Sequence, residues 1–432
     1  MGQNFEMIAK TFQGLEEVLA KELIELGAND VQIGRRMVSF SGDKELLYKA
    51  NFHLRTAIRI LKPIKHFQAN NADEVYEAIK NMNWDGILDP SKSFAIDAVV
   101  FSNEFRHSKF VSYRVKDAIA DYFREKYNKR PSVRLNNPDL LINIHIAETK
   151  CTLSLDSSGD SLHRRGYRQE AVEAPLNEIL AAGMILLTGW KGDCDLIDPM
   201  CGSGTIAIEA ALIARNIAPG LFRKSFAFEK WPDFDADLFD EIYNDESMER
   251  DFKHKIYAYD KDPQAIAIAT HNIKAAGVTK EVVLALKPIE EFTKPEAKAI
   301  IVTNPPYGER ISTNNLLQLY ETIGERLKHE FTGNTAWILS YRDECFDSIG
   351  LRHSEKIPLF NGALACSFRA YSIFDGKMKE FKSDRQQYRE KKDFKRRDFK
   401  GRDPKYGGGN KYRDSKPQRT SRNRNFTKRD RD

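Results

Sequence analysis

The chain has 432 residues, 41% of them hydrophobic and 30% charged, with a formal net charge of +5. That length allows two or three domains, and no apolar run approaches the roughly 20 residues of a membrane-spanning helix. The five cysteines are scattered, odd in number and without a CxxC pair, which argues against disulfides or a zinc site. The start resembles neither a signal peptide nor a myristoylation motif, so we expect a cytoplasmic protein without a metal.

The first 156 residues show alternating helix and strand patterns. Leu15, Leu19, Leu23 and Leu26 recur at helical spacing before Gly27, which predicts an amphipathic helix with a glycine cap. Helices are also predicted over "DKELLYKANFHL" and "SKFVSYRVKDAIADYFREKY". Strands are predicted over "AIRILKPIKHF", "SFAIDAVVF" and "DLLINIHIAETKCTLSLDSSG", the last as a single strand that closes this half. These are small α+β units that any compact domain could contain.

From about Arg168 the pattern changes to strand, glycine turn, helix and strand. The stretches "CDLIDPMCGSGTIAIEAALIA", "KIYAYDKDPQAIAIATHNIKAAG", "EVVLALKPIEEF" and "AKAIIVTNPPYGER" follow one another. Strands that alternate with helices at this spacing imply βαβ units, which predicts an α/β fold with a doubly wound, mostly parallel sheet. The stretch that ends in "CSFRAYSIF" is expected to add an antiparallel edge pair.

The first motif, "LIDPMCGSGTIAIEAA", places a strand end at Asp198 and two glycines, Gly202 and Gly204, before a helix that begins near Thr205. Such a turn lies at the carboxyl edge of a parallel sheet, where small ligands bind. It lacks the third glycine of a dinucleotide-binding loop and the lysine of a P-loop. An acidic Asp198 would repel phosphate and suits a cationic or neutral ligand, such as the aminoacyl part of S-adenosylmethionine. The alternative is a plain tight turn.

The second motif, "YAYDKD", ends the next strand at Asp260. A carboxylate at this position can accept hydrogen bonds from both hydroxyls of a ribose. A lone Asp at a strand end is usually only a helix N-cap. Asp262, directly before Pro263, fits the capping role better, so Asp260 is predicted to bind ligand.

The third motif, "NPPY", follows the strand "AIIV" and is therefore predicted at the same carboxyl edge. Its two prolines have no backbone N–H, so this corner presents acceptors only. The Asn304 side-chain oxygen and the Pro305 carbonyl are predicted to accept two hydrogen bonds from one exocyclic NH₂ group. Tyr307 offers a ring on which an unstacked base can lie. Asn304, Pro305, Pro306 and Tyr307 are therefore the candidate catalytic residues, and the alternative is a rigid polar loop.

In this order and spacing, "DPMCGSGT", "YAYDKD" and "NPPYGER" resemble class I S-adenosylmethionine-dependent methyltransferases that act on exocyclic amines. The stretch "LSLDSSGDSLHRRGYRQEAVEAPLNEILAAGMI" resembles the junction between a THUMP domain and the methyltransferase domain of bacterial guanine-N2 methyltransferases of large-subunit (23S) ribosomal RNA. "TFQGLEEVLAKEL" and "VKDAIADYF" match the N-terminal half of that family. The resemblance covers residues 5–376 and is to the form with a single methyltransferase domain, so one activity is expected.

The resemblance implies a ferredoxin-like lead-in (residues 1–43), a THUMP RNA-binding domain (44–156) and a Rossmann-like methyltransferase domain (157–376). It implies S-adenosylmethionine as the cofactor and residues 175–179 packed over it. The implied cofactor contacts are Asp198, Pro199, Cys201, Gly202, Gly204, Thr205, Asp260 and Asn304.

One departure from the family pattern concerns the adenine. The family commonly carries an acid after the third strand, whereas this chain has Lys287 and Pro288 there. We therefore expect Glu290 or a backbone carbonyl to meet the adenine amino group.

The resemblance also implies that the N-terminal half binds structured RNA. The candidate contacts are Arg106, Lys109, Arg114, Lys129 and Arg130, although dispersed basic residues are most often plain surface. "LHRRGYR" adds three arginines at the domain junction, which suggest either a phosphate clamp or a structural role between the domains. These are Arg164, Arg165 and Arg168.

The segment 377–432 carries 22 Lys and Arg against 9 Asp and Glu, a net charge of +13. Residues 1–376 carry 46 against 54, a net charge of −8, so the tail alone makes the chain basic. The tail has no apolar periodicity, and we expect it to be disordered. Its interleaved Tyr and Phe suit contact with phosphates and stacking on unpaired bases, and the alternative is a solubilising tail.

Taken together, these patterns predict an enzyme that methylates the N2 atom of a guanine in 23S ribosomal RNA. RNA is the expected partner, with no membrane and no obligate protein partner. The motifs leave a transfer-RNA guanine-N2 or a DNA adenine-N6 methyltransferase open, because both atoms are exocyclic amines. A ribosome-assembly factor that binds RNA without catalysis is the alternative from a different class.

Overall fold

The computed structural model describes residues 3–105, 107–172, 175–293, 295, 298–308 and 313–374. The tail predicted over 377–432 and the candidate RNA contact Arg106 lie outside the described residues. Within those ranges the main strands form two sheets, one in each half of the chain. None of the described helices combines the length and the apolar character needed to cross a membrane.

The N-terminal half forms one sheet of eight strands. In chain order they are β1 (Phe5–Lys10), β2 (Asn29–Gly34), β3 (Met37–Gly42), β4 (Arg59–Gln68), β5 (Ser93–Phe101), β6 (Ser132–Val133), β7 (Leu140–Ala147) and β8 (Lys150–Asp156). Their spatial order is β2-β3-β1-β4-β8-β7-β5-β6. The sheet runs across the boundary predicted at residue 43, because β4 pairs with β1 on one side and with β8 on the other.

Four helices accompany this sheet. They are α1 (Glu16–Glu25), α2 (Lys44–His53), α3 (Ala72–Lys80) and α4 (Ser108–Tyr127). Asp43 caps α2 by accepting a 3.0 Å hydrogen bond from the amide of Leu46, and Asn71 caps α3 in the same way. The face of α4 that carries Val111, Val115 and Phe123 is buried, as its periodicity predicts.

The segment predicted as a single strand over residues 139–159 is instead the hairpin of β7 and β8. The two strands pair antiparallel, with Ala147 opposite Lys150. Glu148 has a φ of +52°, a left-handed conformation that tight turns use to reverse the chain. The prediction was wrong because alternating apolar residues look the same in one long strand as in two paired ones.

The C-terminal half forms a second sheet, of seven strands. In chain order they are β9 (Asp195–Asp198), β10 (Ile256–Asp260), β11 (Val282–Leu286), β12 (Ala299–Thr303), β13 (Thr335–Ser340), β14 (Glu355–Asn361) and β15 (Leu364–Ser372). Their spatial order is β11-β10-β9-β12-β13-β15-β14. The first five strands in this order are parallel, whereas β15 pairs antiparallel with β13 and β14. This arrangement confirms the predicted doubly wound α/β fold with an antiparallel edge.

The described residues of this half form six α-helices. They are α5 (Glu178–Leu187), α6 (Thr205–Arg215), α7 (Ala236–Tyr243), α8 (Pro263–Ala275), α9 (Thr313–Glu330) and α10 (Asp343–Ser348). All residues of α6 except Arg215 are buried, so this helix packs in the centre of the domain. The strand order reverses between β9 and β12, which opens a crevice at the carboxyl ends of these strands.

Candidate active site

The carboxyl ends of β9, β10 and β12 open into one cavity of about 450 Å³. All three sequence motifs line it, together with the segment before α5 and the β14–β15 hairpin. The predicted residues that line it are Asp198, Pro199, Cys201, Gly202, Thr205, Asp260, Asn304, Pro305, Pro306 and Tyr307. Three stretches that are far apart in the chain thus share one site, because the carboxyl ends of parallel strands meet at the same edge of the sheet.

The loop between β9 and α6 depends on its glycines. Gly204 has a φ of +81°, and a Cβ atom there would lie 3.3 Å from the Cβ of Ala269 in α8. Gly204 turns the chain into α6 and is not among the described residues that line the cavity, and its contact with the cofactor stays a prediction. The amide of Cys201 donates a 2.8 Å hydrogen bond to the carbonyl of Tyr259, which ties the loop to β10.

Asp198 lies at the end of β9 and is fully buried. Its Oδ1 accepts hydrogen bonds from the Thr303 hydroxyl at 2.9 Å and from the amide of Met200 at 3.3 Å. Its Oδ2 has no hydrogen-bond partner in the described part of the chain. Burial raises the pKa of Asp198 to about 7, and repulsion from Asp260 acts in the same direction. A cationic ligand in the cavity would therefore satisfy an oxygen that the protein leaves unpaired.

Asp260 lies at the end of β10, on the neighbouring side of the cavity. Its Oδ2 accepts a 2.9 Å hydrogen bond from the amide of Gly202, and its Oδ1 accepts a 3.0 Å bond from the amide of Asp262. Asp262 caps α8 by accepting a bond from the amide of Gln264, as the sequence predicts, and the binding of ligand by Asp260 stays a prediction. Since a carboxylate has about four acceptor positions, Asp260 retains two for a ligand.

On the same side of the cavity as Asp260, the short turn after β11 forms part of the wall. Ile289 and Glu290 line the cavity there, whereas Lys287 and Pro288 are not among the described lining residues. Lys287 instead donates its backbone amide to the carbonyl of Asp260 at 2.9 Å. Of the two adenine contacts considered, the Glu290 side chain is therefore available at the cavity wall.

The "NPPY" corner forms the opposite wall. The Tyr307 hydroxyl donates a hydrogen bond to the side-chain oxygen of Asn304, and the Tyr320 hydroxyl donates a 3.5 Å bond to the Pro306 carbonyl. The Tyr307 ring meets the Tyr341 ring edge-on at a centroid distance of 5.4 Å. Burial raises the pKa of Tyr307, so this phenol stays protonated and remains a donor at neutral pH.

Arg168 was predicted to contact RNA, but the structure gives it hydrogen bonds inside the protein instead. Its guanidinium donates to Glu178 at 2.7 Å, to the Leu176 carbonyl at 3.0 Å, and to the hydroxyls of Ser203 and Thr205 at 3.1 and 3.0 Å. These bonds tie the glycine loop to the segment before α5. Because the donors of Arg168 are taken up in this way, its role is to position the cavity wall rather than to clamp a phosphate.

Asn272 in α8 makes a second set of bonds to the same segment. Its side-chain oxygen accepts a 2.9 Å hydrogen bond from the amide of Gln169, and its side-chain nitrogen donates to the carbonyls of Glu170 and Ser203 at 3.0 and 3.1 Å. The segment that starts at Arg168 is thus attached to the glycine loop by two polar side chains, the half-buried Arg168 and the buried Asn272. Pro175 and Leu176 in this segment line the cavity, and the packing of residues 175–179 over the cofactor stays a prediction.

Arg165 is also displaced from its predicted role, since only 2% of it is exposed. It lies 3.4 Å from the carboxylate of Glu209 in α6 and donates to the carbonyls of Leu162 and Arg55. Tyr167 donates a 2.9 Å hydrogen bond to the same Glu209 oxygen. Arg165 therefore joins the two halves of the chain and presents no surface to RNA.

The other candidate RNA contacts remain at the surface. Lys109, Lys129 and Arg130 are exposed, and 68% of the Arg164 side chain is exposed. Arg114 is less accessible, because it donates to Asp73 at 2.6 Å and lies over the Tyr76 ring. Their contact with RNA stays a prediction.

The sequence analysis did not identify several polar residues that support the site. Thr303 directly precedes the "NPPY" motif, so its position at the same strand end could have indicated it. Asn361 lines the cavity beside Tyr307 from the β14–β15 hairpin, and Asn272 in α8 bonds to the glycine loop at Ser203. No local pattern marks these two asparagines, because their place depends on how distant elements pack.

The cavity fits S-adenosylmethionine on the evidence of its own groups. The unpaired Oδ2 of Asp198 suits a positively charged amino group, and the Asp260 carboxylate suits ribose hydroxyls. The volume of about 450 Å³ lies in the range of roughly 300–1,000 Å³ that is usual for cofactor sites. Among the described residues, no group of three or more His, Cys, Asp or Glu side chains could hold a metal ion.

Comparison with known proteins agrees with this architecture. Family models match for an RMKL-like methyltransferase domain over residues 165–370, a THUMP domain over 69–156 and an RlmL ferredoxin-like domain over 6–61. The chain is 38% identical over 369 residues to "Putative RNA methyltransferase slr0064" of Synechocystis sp., covering 85% of this chain and 96% of that protein. The chain belongs to the RlmL-like family of THUMP-domain methyltransferases.

Other members of this family extend the comparison. The chain is 38% identical over 387 residues to "Ribosomal RNA large subunit methyltransferase K/L" of Syntrophotalea carbinolica, and spans 54% of the length of that relative. The structure of "SMU.472, a putative methyltransferase complexed with SAH" matches with a TM-score of 0.78 at 30% identity, covering 87% of this chain and all of that one. The predicted family, fold and cofactor class of this RlmL-like methyltransferase are thereby confirmed.

Proposed function

We propose that this RlmL-like methyltransferase transfers a methyl group from S-adenosylmethionine to the exocyclic N2 atom of a guanine in large-subunit ribosomal RNA. The observation that carries the proposal is the juxtaposition, in one cavity, of Asp198 with its unpaired oxygen and the acceptor-rich Asn304 corner. The first suits the charged end of the cofactor, and the second suits an amine that donates two hydrogen bonds. Such a cavity brings a methyl donor and a nucleobase amine together.

The residues of the corner position the amine. The target base leaves its stack and enters the cavity, as enzymes that modify bases require. The Asn304 side-chain oxygen and the Pro305 carbonyl accept the two N–H bonds of the amine, which orients the nitrogen lone pair. When bound, S-adenosylmethionine would supply a sulfonium methyl group, whose S–C bond would break to leave S-adenosylhomocysteine as the N–C bond forms, and the amine would lose one proton to water. No strong base is needed, so positioning supplies most of the rate.

The Asn304–Tyr307 bond modifies this picture. The Asn304 oxygen already accepts the Tyr307 hydroxyl, and a carbonyl oxygen has two lone pairs. The second lone pair is the one we assign to the substrate amine. Tyr307 therefore orients the Asn304 amide in addition to offering its ring to the base.

RNA is favoured over DNA by the THUMP domain in the N-terminal half and by the names of the relatives, which specify RNA or large-subunit ribosomal RNA. We propose Lys109, Arg114 and Arg164 as RNA contacts, and the tail 377–432 as a further basic RNA-binding segment. We also propose the division into residues 1–43, 44–156, 157–376 and 377–432 as units of function. Within it, residues 44–156 and the tail capture RNA for the methyltransferase domain.

The decisive experiment maps modified nucleotides in ribosomal RNA, transfer RNA and DNA from cells with and without the gene. Purified protein and labelled S-adenosylmethionine are then used with the RNA from the deletion strain. We expect N2-methylguanine in large-subunit RNA from wild-type protein, and a loss of about 100-fold in kcat for Asn304→Ala, because the amine loses an orienting acceptor.

Each alternative has its own outcome in this experiment. N2-methylguanine in transfer RNA or N6-methyladenine in DNA would replace the proposed substrate with another exocyclic amine. Equal labelling by wild type and Asn304→Ala would contradict the assignment of the active site. Absence of any label, with RNA binding intact, would favour an assembly factor without catalysis.

A further inference from the structure

A second cavity, of about 670 Å³, lies where the N-terminal half joins the methyltransferase domain. Its walls come from residues 160–168, 175–178 and 222–225, and we call it the junction pocket. It shares Pro175 and Leu176 with the methyl-transfer cavity, so only this short segment separates the two. A ligand in the junction pocket would therefore be a neighbour of the target base.

The junction pocket carries unbalanced positive charge. Five of its residues are basic and two are acidic: Arg164, Arg165, Arg168, Arg223 and Lys224 against Asp160 and Glu178. Arg165 is neutralised by Glu209 behind the wall, and Arg168 is neutralised by Glu178 at 2.7 Å. Three cations then remain against Asp160, whose carboxylate lies 3.9 Å from Arg164 with both side chains largely exposed to water. Such an exposed pair leaves Arg164 available to a stronger anion.

Arg223 holds the wall that carries Arg164. Its guanidinium donates to the carbonyls of Ser158, Asp160, Ser161 and Arg164 at distances from 2.8 to 3.3 Å. No carboxylate lies within ion-pairing distance of it among the residues that the structure describes. Asp160 and Asp156 compensate its charge only at longer range, and burial lowers the pKa of Arg223 to about 10. An arginine with this pKa stays charged at neutral pH and adds a fixed positive potential to the pocket.

Lys224 completes the cationic rim. It follows Arg223 directly, is exposed, and lies opposite the 160–168 wall with no ion-pair partner in the described ranges. His163 also lines the pocket, but burial lowers its pKa, so it is a neutral hydrogen-bonding group at pH 7. The pocket therefore offers two accessible cations, Arg164 and Lys224, on a frame held by Arg223.

We propose that the junction pocket binds backbone phosphate of the RNA strand next to the target guanine, with Arg164 and Lys224 as the phosphate contacts. The proposal rests on the proposed function, because it takes its ligand from the RNA that enters the neighbouring cavity. Phosphate contacts position a nucleic acid without reading its sequence. The junction pocket thus sets the register with which the strand delivers its base to Asn304.

The test compares Arg164→Ala/Lys224→Ala with a control of equal charge change, Lys191→Ala/Lys280→Ala. Lys191 and Lys280 are exposed and precede β9 and β11, so they lie at the amino edge of the sheet, away from the cavity. The probe is protein-free large-subunit ribosomal RNA from cells that lack the gene. We expect the KM for RNA to rise about tenfold or more in the pocket variant, with kcat and the Kd for S-adenosylmethionine unchanged. The slope of log affinity against log salt should fall by about 1 to 2, since two phosphate contacts are lost.

An additional variant distinguishes the role of Arg223, which holds the pocket wall, from the phosphate contacts of Arg164 and Lys224. Arg223→Lys keeps the charge but cannot span the four carbonyls, so RNA affinity should fall several-fold while the salt slope stays near that of the wild type. A pocket variant with the same RNA KM and salt slope as the control would overturn the proposal. If the wild type methylates no RNA, the proposed function fails, and filter binding of the same RNA still decides whether the junction pocket contacts phosphate.

Discussion

The hydroxyl of Tyr307 donates a hydrogen bond to the side-chain oxygen of Asn304, three residues earlier in the same corner. The sequence suggests a stacking role for the tyrosine and an accepting role for the asparagine, but not that one orients the other. In this arrangement the amide presents its oxygen to the phenol, which uses one lone pair of that oxygen and leaves the second for the amine. Catalysis should therefore depend on the phenol as well as on the ring.

Tyr307→Phe tests this relationship, since it removes the hydroxyl and keeps the ring. We expect kcat to fall about fivefold, the equivalent of one ordinary hydrogen bond, with little change in the KM for RNA. Tyr307→Ala also removes the ring and should raise the KM for RNA by a further tenfold or so, since stacking on a base contributes about 1–3 kcal/mol. Steady-state kinetics of both variants distinguish the two roles, and equal kinetics for Tyr307→Phe and wild type would show that the bond is idle.

Cofactor binding should depend on pH through Asp198. Its pKa in the cofactor-free protein is about 7, whereas a bound cationic ligand favours the ionised carboxylate. Below pH 7 binding must expel a proton, so the Kd for S-adenosylmethionine should rise up to tenfold per pH unit and level off above pH 7. Calorimetry across pH 5.5–8.5 measures this. A flat profile in the wild type would contradict the contact, and Asp198→Asn is expected to bind weakly at every pH.

Ionisation of Asp198, which favours cofactor binding, should lower the stability of the cofactor-free protein. A carboxyl group whose pKa is raised in the folded protein stabilises the fold at low pH, and this contribution is lost as pH rises through about 7. At pH 8, without cofactor, Asp198→Asn should therefore have a higher Tm than the wild type. Thermal unfolding checks this, and a lower Tm for the variant would mean that Asp198 is better satisfied than its unpaired Oδ2 indicates.

The role of Arg168 in positioning the cavity wall can be tested by substitution. Arg168→Gln breaks the ion pair with Glu178 and loosens the loop that carries Ser203 and Thr205. We expect the KM for S-adenosylmethionine to rise about tenfold, with RNA affinity and its salt slope unchanged, since the loss of a charged hydrogen bond costs about 1.5–3 kcal/mol. Arg168→Lys should recover part of the loss. A fall in the salt slope would instead support the original prediction of a phosphate contact.

Arg165 should matter for folding rather than for RNA. Arg165→Met leaves the fully buried Glu209 without its cation, which is expected to lower the free energy of unfolding by about 3–5 kcal/mol. The double variant Arg165→Met/Glu209→Gln removes the unpaired charge of Glu209 and should regain most of the lost stability. Denaturant unfolding measures both, and additive losses in the double variant would show that the two side chains do not interact.

The basic tail can be tested by deleting residues 377–432, which removes a net charge of +13. RNA affinity should fall and its salt dependence should flatten, because fewer counterions are released on binding. Binding of S-adenosylmethionine should be unaffected. A salt slope equal to that of the full chain would show that the tail makes no contact with RNA.

The three motifs could be placed at one edge of the sheet because each is a short local pattern at the end of a strand. Asp198, Asp260 and the Asn304–Tyr307 corner each end a strand, and parallel strands place their carboxyl ends at one edge whatever else the protein does. Local signals also predicted the Asp262 cap and the helices α1, α2, α4, α6 and α8. The hairpin turn at Glu148 was missed because apolar alternation continues through it unchanged.

The sequence by itself therefore determined the order of the elements, the edge of the sheet where the three motifs meet and the residue types that face the cavity there. Only the tertiary structure decided which arginines are interior and which are accessible. Arg164, Arg165 and Arg168 are close in sequence, yet 68% of the first side chain is exposed, the second is buried against Glu209, and the third is bonded to the glycine loop. The physical reason is that strand and helix patterns arise from neighbours in the chain, whereas burial and ion pairing depend on which distant segments pack against a side chain.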